Sequence, residues 1–149
     1  MRISTRTIAI NAAFLQDIKQ DNRDLRELLT QGVELFSPER PQPATPASVV
    51  EYLERLRDQL ALHFALEEAY GYFEEAVDVA PMLSGRADKL RQEHAELFQS
   101  VCGLLDAGER LRYHESPHGS LRELAQDFLQ FHRRLARHER LENELILDF

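Results

Sequence analysis

Apolar residues recur along this chain at helical spacing in four stretches, each closed by turn-forming residues. From about Thr7 to Phe36 they fall at Ile10, Phe14, Ile18, Leu25, Leu28 and Leu29, and Ser37-Pro38 with the proline-rich run to Pro46 ends the pattern. A second helix is expected to start at Thr45-Pro46, or at Ser48 with Glu51 three residues on as a capping box, and to run to about Val77. Its stripe reads Leu53, Leu56, Leu60, His63, Glu67 and Tyr70. Pro81 to Gly85 breaks that helix, and Ser84 is a cap for a third, with Leu90, His94, Leu97, Phe98, Val101 and Leu104 before Gly108 stops it. After a loop from Gly108 to Gly119, a last helix from about Ser120 shows Leu124, Phe128, Phe131, Leu135, His138, Glu142 and Leu145. Four amphipathic helices on short connections form an all-α antiparallel up-down-up-down four-helix bundle most economically.

The stripes contain polar residues where apolar ones would be cheaper to bury. Asn22 follows Ile18 by four and precedes Leu25 by three, so it is expected on the core face of the first helix, either as a hydrogen-bonded amide or beside a metal. His63 and Glu67 sit one turn apart on the second helix, His94 lies within the third stripe, and His138 and Glu142 sit one turn apart on the last. Burying such groups without partners costs roughly 2–7 kcal/mol each, so a compensating arrangement is required. Metal coordination is one; a structural layer of histidine-to-carboxylate hydrogen bonds is the other. His114 and His118 fall outside any apolar periodicity and are given no role, and His132 is expected beside the core stripe rather than in it.

Composition agrees with the periodicity and narrows the function. At 149 residues, with 43% apolar and 30% charged residues, the chain is expected to form one domain, residues 1–149, with a core that needs no disulfide. The formal charge of −8 argues against a nucleic-acid partner, because 18 Lys and Arg are scattered among 26 acids. Cys102 is the only cysteine, which excludes an internal disulfide and a thiolate zinc site and fits a reducing cytoplasm. No apolar run approaches the roughly 20 residues that span a bilayer, so no membrane partner is expected.

The polar residues also repeat. Leu60-Ala61-Leu62-His63-Phe64-Ala65-Leu66-Glu67 returns as Leu135-Ala136-Arg137-His138-Glu139-Arg140-Leu141-Glu142, and Asp21-Asn22-Arg23-Asp24-Leu25 matches Glu93-His94-Ala95-Glu96-Leu97. The spacing from Asn22 to His63 is 41 and that from His94 to His138 is 44, so each half of the chain is a helical hairpin of the same design. Brought together, the halves place His63, Glu67, His94, His138 and Glu142 around one axial point, with Asn22 as a sixth candidate. Imidazole and carboxylate donors without thiolates suit iron, manganese or zinc, and two carboxylates able to bridge favour a two-metal centre.

These residues resemble the hemerythrin-like, or HHE cation-binding, family over nearly the whole length. His63-Phe64-Ala65-Leu66-Glu67-Glu68 is similar to the family's His-Phe-x-x-Glu-Glu string, Glu93-His94-Ala95-Glu96-Leu97 to its third-helix motif, and His138 with Glu142 to its closing His-x-x-x-Glu. The resemblance implies a non-haem di-iron centre in a four-helix bundle, with Glu67 and Glu142 bridging, His63 serving one iron and His94 and His138 the other. It also implies a small ligand such as dioxygen, nitric oxide or iron itself. Two departures stand out: Asn22 and Phe98 occupy positions where members of the family carry histidines. Such a depleted set leaves coordination positions to water, Asn22, Glu68 or Glu93, and leaves a single ion or none as alternatives to two.

A metal-free helical module that docks on a regulatory or signalling protein is the competing reading, although no residue specifies a protein partner. No catalytic residue is assigned, since the chain has no phosphate-binding glycine loop, no His-Glu-x-x-His zinc motif and no nucleophile elbow.

Overall fold

The structure, a computed structural model, describes residues 5–69, 84–113 and 120–147. All four expected helices are present: α1 spans Thr5–Leu35, α2 Pro46–Ala69, α3 Ser84–Arg112 and α4 Leu121–Leu147. The sequence-based continuation of α2 to Val77, the stripe residue Tyr70, and the loop histidines His114 and His118 lie outside the described residues.

Local chemistry sets the helix starts. Thr45 rather than Ser48 caps α2: its hydroxyl accepts from the Ser48 amide at 3.1 Å, while the Ser48 hydroxyl accepts from the Thr45 amide at 3.0 Å. This reciprocal pair is a capping box with serine in the third position, and Pro46 fills the first turn, where no amide hydrogen is needed. Ser120 caps α4 by accepting from the Glu123 amide at 3.0 Å.

Consecutive helices run antiparallel. Gln31 meets Arg55 while Asp21 meets His63, Val50 faces Gly108 while Glu68 meets His94, and Ser100 meets Arg134 while Glu93 meets His138. The sequential pairs form the closest helix contacts, and the first and last helices approach each other less closely. A seam between α1 and α4 results.

Two buried glycines lie at the end of the bundle away from the polar residues, and one of them allows a close approach. Gly108, expected to end the third helix, is buried within α3, which continues to Arg112. A Cβ there would sit 3.4 Å from Val50 and 3.7 Å from Leu53 and Leu124, ordinary packing distances, so Gly108 is an interior residue of the α3 face that meets α2 and α4 and not a helix stop. At Gly32 a Cβ would collide with the Tyr52 hydroxyl and the Phe128 ring. Tyr52 crosses this gap to donate to the Leu28 carbonyl at 2.8 Å. Phe128 is fully buried between Phe36, stacked at 4.8 Å, and Tyr52, edge-on at 5.9 Å.

Above this aromatic plug Leu53, Leu56, Leu60, Leu97, Val101 and Leu135 fill the axis. The apolar core then gives way to a buried polar layer of Asp21, His63, Glu67, His94, His138 and Glu142. The α4 stripe matches expectation at Leu124, Phe128, Phe131, Leu135, His138 and Glu142. The α1 stripe matches at Leu25 and Leu28 and fails at Asn22: Ile10 and Phe14 lie outside the described side chains, and among the described ones the buried positions are Asp21, Leu25, Leu28 and Gly32, while Asn22 is exposed. The helix is turned so that Ile18, Asn22 and Leu29 lie along the edge of the core face, because Asp21, one residue earlier, has partners inside.

Candidate metal centre

The polar layer is assembled by all four helices. His63 and Glu67 come from one face of α2, His94 from α3, and His138 and Glu142 from one face of α4. The five residues that the sequence placed on the bundle axis are therefore brought together and buried. Asn22 is not among them, but it lines the same cavity as Glu67 and Glu142.

The three imidazoles are oriented alike. The Nδ1 of His63 donates to Asp21 at 2.5 Å, that of His94 to Glu68 at 3.0 Å and that of His138 to Glu93 at 3.1 Å. Each carboxylate fixes a ring and the tautomer that leaves Nε2 as the inward-facing donor atom. Glu68 and Glu93 thus hold the outer edges of His94 and His138 rather than open positions at the centre. Phe64 supports the arrangement by stacking on His94 at 4.2 Å and meeting His138 edge-on at 5.9 Å.

The three Nε2 atoms point at carboxylate oxygens. His63 Nε2 lies 2.6 Å from Glu67 Oε1 and 2.7 Å from Glu139 Oε1, and His94 Nε2 lies 3.2 Å from Glu142 Oε1 and 4.0 Å from Glu67 Oε2. His138 Nε2 abuts Glu142 Oε1. His63 Nε2 is hydrogen-bonded to Glu139 and His94 Nε2 to Glu142, but both Glu67 oxygens and His138 Nε2 are buried without a well-formed hydrogen bond. Buried polar atoms normally have partners. Three such atoms crowded into one layer suit a shared point between them, as metal ligands do.

Their donors fall into two groups, His94 with His138 and Glu142, and His63 with Glu67 and Glu139, the donor atoms within each lying no more than 4.8 Å apart. Sequence reasoning missed Glu139 and the role of Asp21. Periodicity held a signal for both: Asp21 precedes Leu25 by four and Leu28 by seven, and Glu139 follows Leu135 by four and precedes Glu142 by three.

Burial and the Glu67 carboxylate beside it raise the Glu142 carboxyl far above the ordinary range, so it keeps a proton. Burial works against ionising Glu67, but Glu142, His63 and His94 hold it below the ordinary value. Burial disfavours a charged His63, yet Asp21, Glu139 and Glu67 outweigh it and raise that imidazole. Burial lowers His94 despite Glu68.

A stability prediction follows, since a raised group binds more protons folded than unfolded and loses its contribution as pH rises. For Glu142 that loss begins above the ordinary carboxyl value of 4.5, and for His63 above 6.5; His94, being lowered, acts only below 6.5. The metal-free protein should therefore lose stability from about pH 6.5 to about 8.5, by at most about 1.4 kcal/mol per pH unit for each group. Urea denaturation at the two pH values checks this, and an increase would contradict the assigned protons.

The arrangement places the chain in a recognised class. The Hemerythrin HHE cation binding domain family matches residues 13–149, and the chain belongs to that family. No curated protein and no solved structure matches it. It is a cation-binding HHE domain whose buried histidine and glutamate clusters form the candidate metal site. No described helix is long and apolar enough to cross a membrane.

Asp21→Asn should reveal how the outer carboxylates act. Asparagine keeps the size but weakens the hold on His63 Nδ1, and loss of such a partner typically reduces metal affinity 10–100-fold. Competition with a chromogenic chelator would measure this, and unchanged affinity would show that Asp21 does not orient His63.

Proposed function

We propose that the chain is a non-haem iron protein holding a pair of ions in this layer and binding or sensing a small ligand, dioxygen or nitric oxide, at an open position. The observation that carries the reading is the common orientation of His63, His94 and His138, each with Nδ1 held by a carboxylate and Nε2 turned to the interior. A structural polar layer needs only satisfied hydrogen bonds; it has no use for three imidazoles presenting the same nitrogen to a layer in which both Glu67 oxygens and His138 Nε2 are left unsatisfied.

The donor chemistry fits the ion. Nitrogen and oxygen donors without thiolates suit iron, manganese or zinc, and bound iron would supply the redox and ligand-binding chemistry. Glu67, whose two oxygens face His63 and His94, would span the pair. Glu142 would lose its proton to enter the site, so metal uptake should release protons. His94 and His138 would hold one ion and His63 the other. Phe64 and Leu60 screen the layer on the core side, keeping water from that direction.

Access comes from the α1–α4 seam. A cavity of about 220 Å³ there is lined by Asn22, Leu25, Arg26 and Asn143 together with Glu67, Glu139 and Glu142. A diatomic molecule fits easily.

Protein loaded anaerobically with ferrous iron should give a new visible absorption band and an altered electron paramagnetic resonance spectrum on addition of nitric oxide. His63→Ala together with Glu142→Ala should abolish both. Identical spectra from wild type and variant would refute the reading, and failure of the wild type to take up any metal would favour the metal-free regulatory module.

A further inference from the structure

The two donor groups are not equivalent. His94, His138 and Glu142 supply two imidazoles and one carboxylate, all deeply buried, whereas His63, Glu67 and Glu139 supply one imidazole and two carboxylates. Glu139 is decisive for the second group. It follows His138 on α4, yet its Oε1 lies 2.7 Å from His63 Nε2 on α2, and its side chain is about one-third exposed at 32%. Without it that group has only a single imidazole and a single carboxylate, fewer than the three protein ligands of an open catalytic zinc site. An independent sign of a ligand comes from Glu67, whose side chain is 5% exposed and neither of whose oxygens forms a well-directed hydrogen bond, although His63 Nε2 lies 2.6 Å from one of them.

Building on the metal-binding reading above, we infer that this is a pair of unlike sites, in which Glu139 completes a carboxylate-rich site for a hard divalent cation beside a histidine-rich site for a softer one. Charge and donor type both support the division. Two carboxylates and a neutral imidazole balance a doubly charged ion, and oxygen-rich sets suit Mn²⁺ or Fe²⁺. Two imidazoles and one carboxylate leave a net positive charge and suit Zn²⁺ or Fe²⁺, which accept nitrogen donors more readily.

Exposure marks Glu139 as the outermost of the donors. The cavity in the α1–α4 seam is lined by Glu67 and Glu139 of the second group and by Glu142 of the first, and by none of the three histidines. An incoming ligand would therefore meet the carboxylates first, Glu139 being the most exposed of them. Asn22 and Asn143 offer amides at this opening and Arg26 a cation, while Phe64 packs on His94 and His138 from the other side.

The test uses the full chain, freed of metal and kept anaerobic, with one equivalent of Zn²⁺ followed by one of Mn²⁺. Wild type should retain one of each after desalting and show the resonance spectrum of bound, magnetically isolated Mn²⁺. Glu139→Gln should retain Zn²⁺ but bind Mn²⁺ at least tenfold more weakly, whereas His94→Gln should weaken Zn²⁺ and spare Mn²⁺. Metal-free Glu139→Gln should keep the helical content of wild type, because the side chain lies at the edge of the bundle and is partly exposed, so a weaker Mn²⁺ affinity reads as a lost ligand and not as a failure to fold. Mn²⁺ affinity unchanged by Glu139→Gln, or a wild type that takes two Zn²⁺ ions with equal affinity and excludes Mn²⁺, would overturn the inference while leaving metal binding intact. A wild type that retains neither ion would refute metal binding itself.

Discussion

Glu142→Gln should abolish metal-dependent stabilisation while leaving the metal-free protein at least as stable as wild type. Glu142 is only 2% exposed and lies beside the Glu67 carboxylate, so without a cation the pair carries the cost of two buried acids in contact. A neutral amide of the same shape removes one of them. With a cation bound the balance reverses, because Glu142 Oε1 faces both His94 and His138 and has no replacement within their group.

The size of the effect follows from mass action. A ligand specific for the folded state, present at a thousand times its dissociation constant, stabilises by about 4.1 kcal/mol. For a chain of this length that corresponds to roughly 8–16 °C in melting temperature. Calorimetry of both proteins with and without ferrous iron should show the shift in wild type and none in Glu142→Gln. Equal shifts would remove Glu142 from the site, and a large loss of metal-free stability in the variant would assign it a structural role instead.

Phe128→Ala should have the largest effect on stability, a loss of about 3–5 kcal/mol. Its ring is fully buried, stacks on Phe36, meets Tyr52 edge-on and closes over Gly32. Truncation removes the piece that ties α4 to the first helical hairpin. Urea titration should show the midpoint falling, with circular dichroism reporting the same helical content in the absence of urea. A loss below about 1 kcal/mol would mean that Phe36 and Tyr52 collapse into the gap.

The aromatic plug and the polar layer lie at different levels of one bundle, so the two variants should separate stability from metal binding. Phe128→Ala should keep the metal-dependent shift from a lower starting point. Glu142→Gln should lose it from an unchanged or higher one.

How legible these features were in the sequence depended on how strongly each helix face was marked. On α4 seven spaced positions agreed, and a mismarked residue would have been conspicuous; His138 and Glu142 were therefore placed inside before any coordinates. On α2 and α3 the histidines sat between leucines at helical spacing, and they too are buried. On α1 the stripe was thin. Leu25 belongs equally to a face through Asn22 and to one through Asp21, two residues that differ by about 100° of rotation on a helix. Burying a charged residue costs more than burying a neutral amide, and only the contacts from His63 and Gln59 explain why Asp21 goes in.

Other features were illegible for a different reason. Glu68 and Glu93 look like solvent-facing acids within their own helices, and their part in orienting His94 and His138 arises only across helix interfaces. Glu139 sits at the edge of its stripe and reaches a histidine 76 positions away in the chain. Gly108 has the residue type of a helix stop, and its actual place, inside α3 against Val50, Leu53 and Leu124, depends on the neighbouring helices. Periodicity identifies which residues face inward. Which partner each meets there is a property of the assembled bundle.

Elemental analysis of the chain after anaerobic incubation with ferrous iron and removal of free metal would show directly whether the inward Nε2 atoms and carboxylates hold transition-metal ions. About two ions per chain should be retained through desalting, as suits a bundle with two bridging-capable carboxylates. Retention of no iron, with a melting temperature unchanged by its addition, would contradict metal binding by this layer.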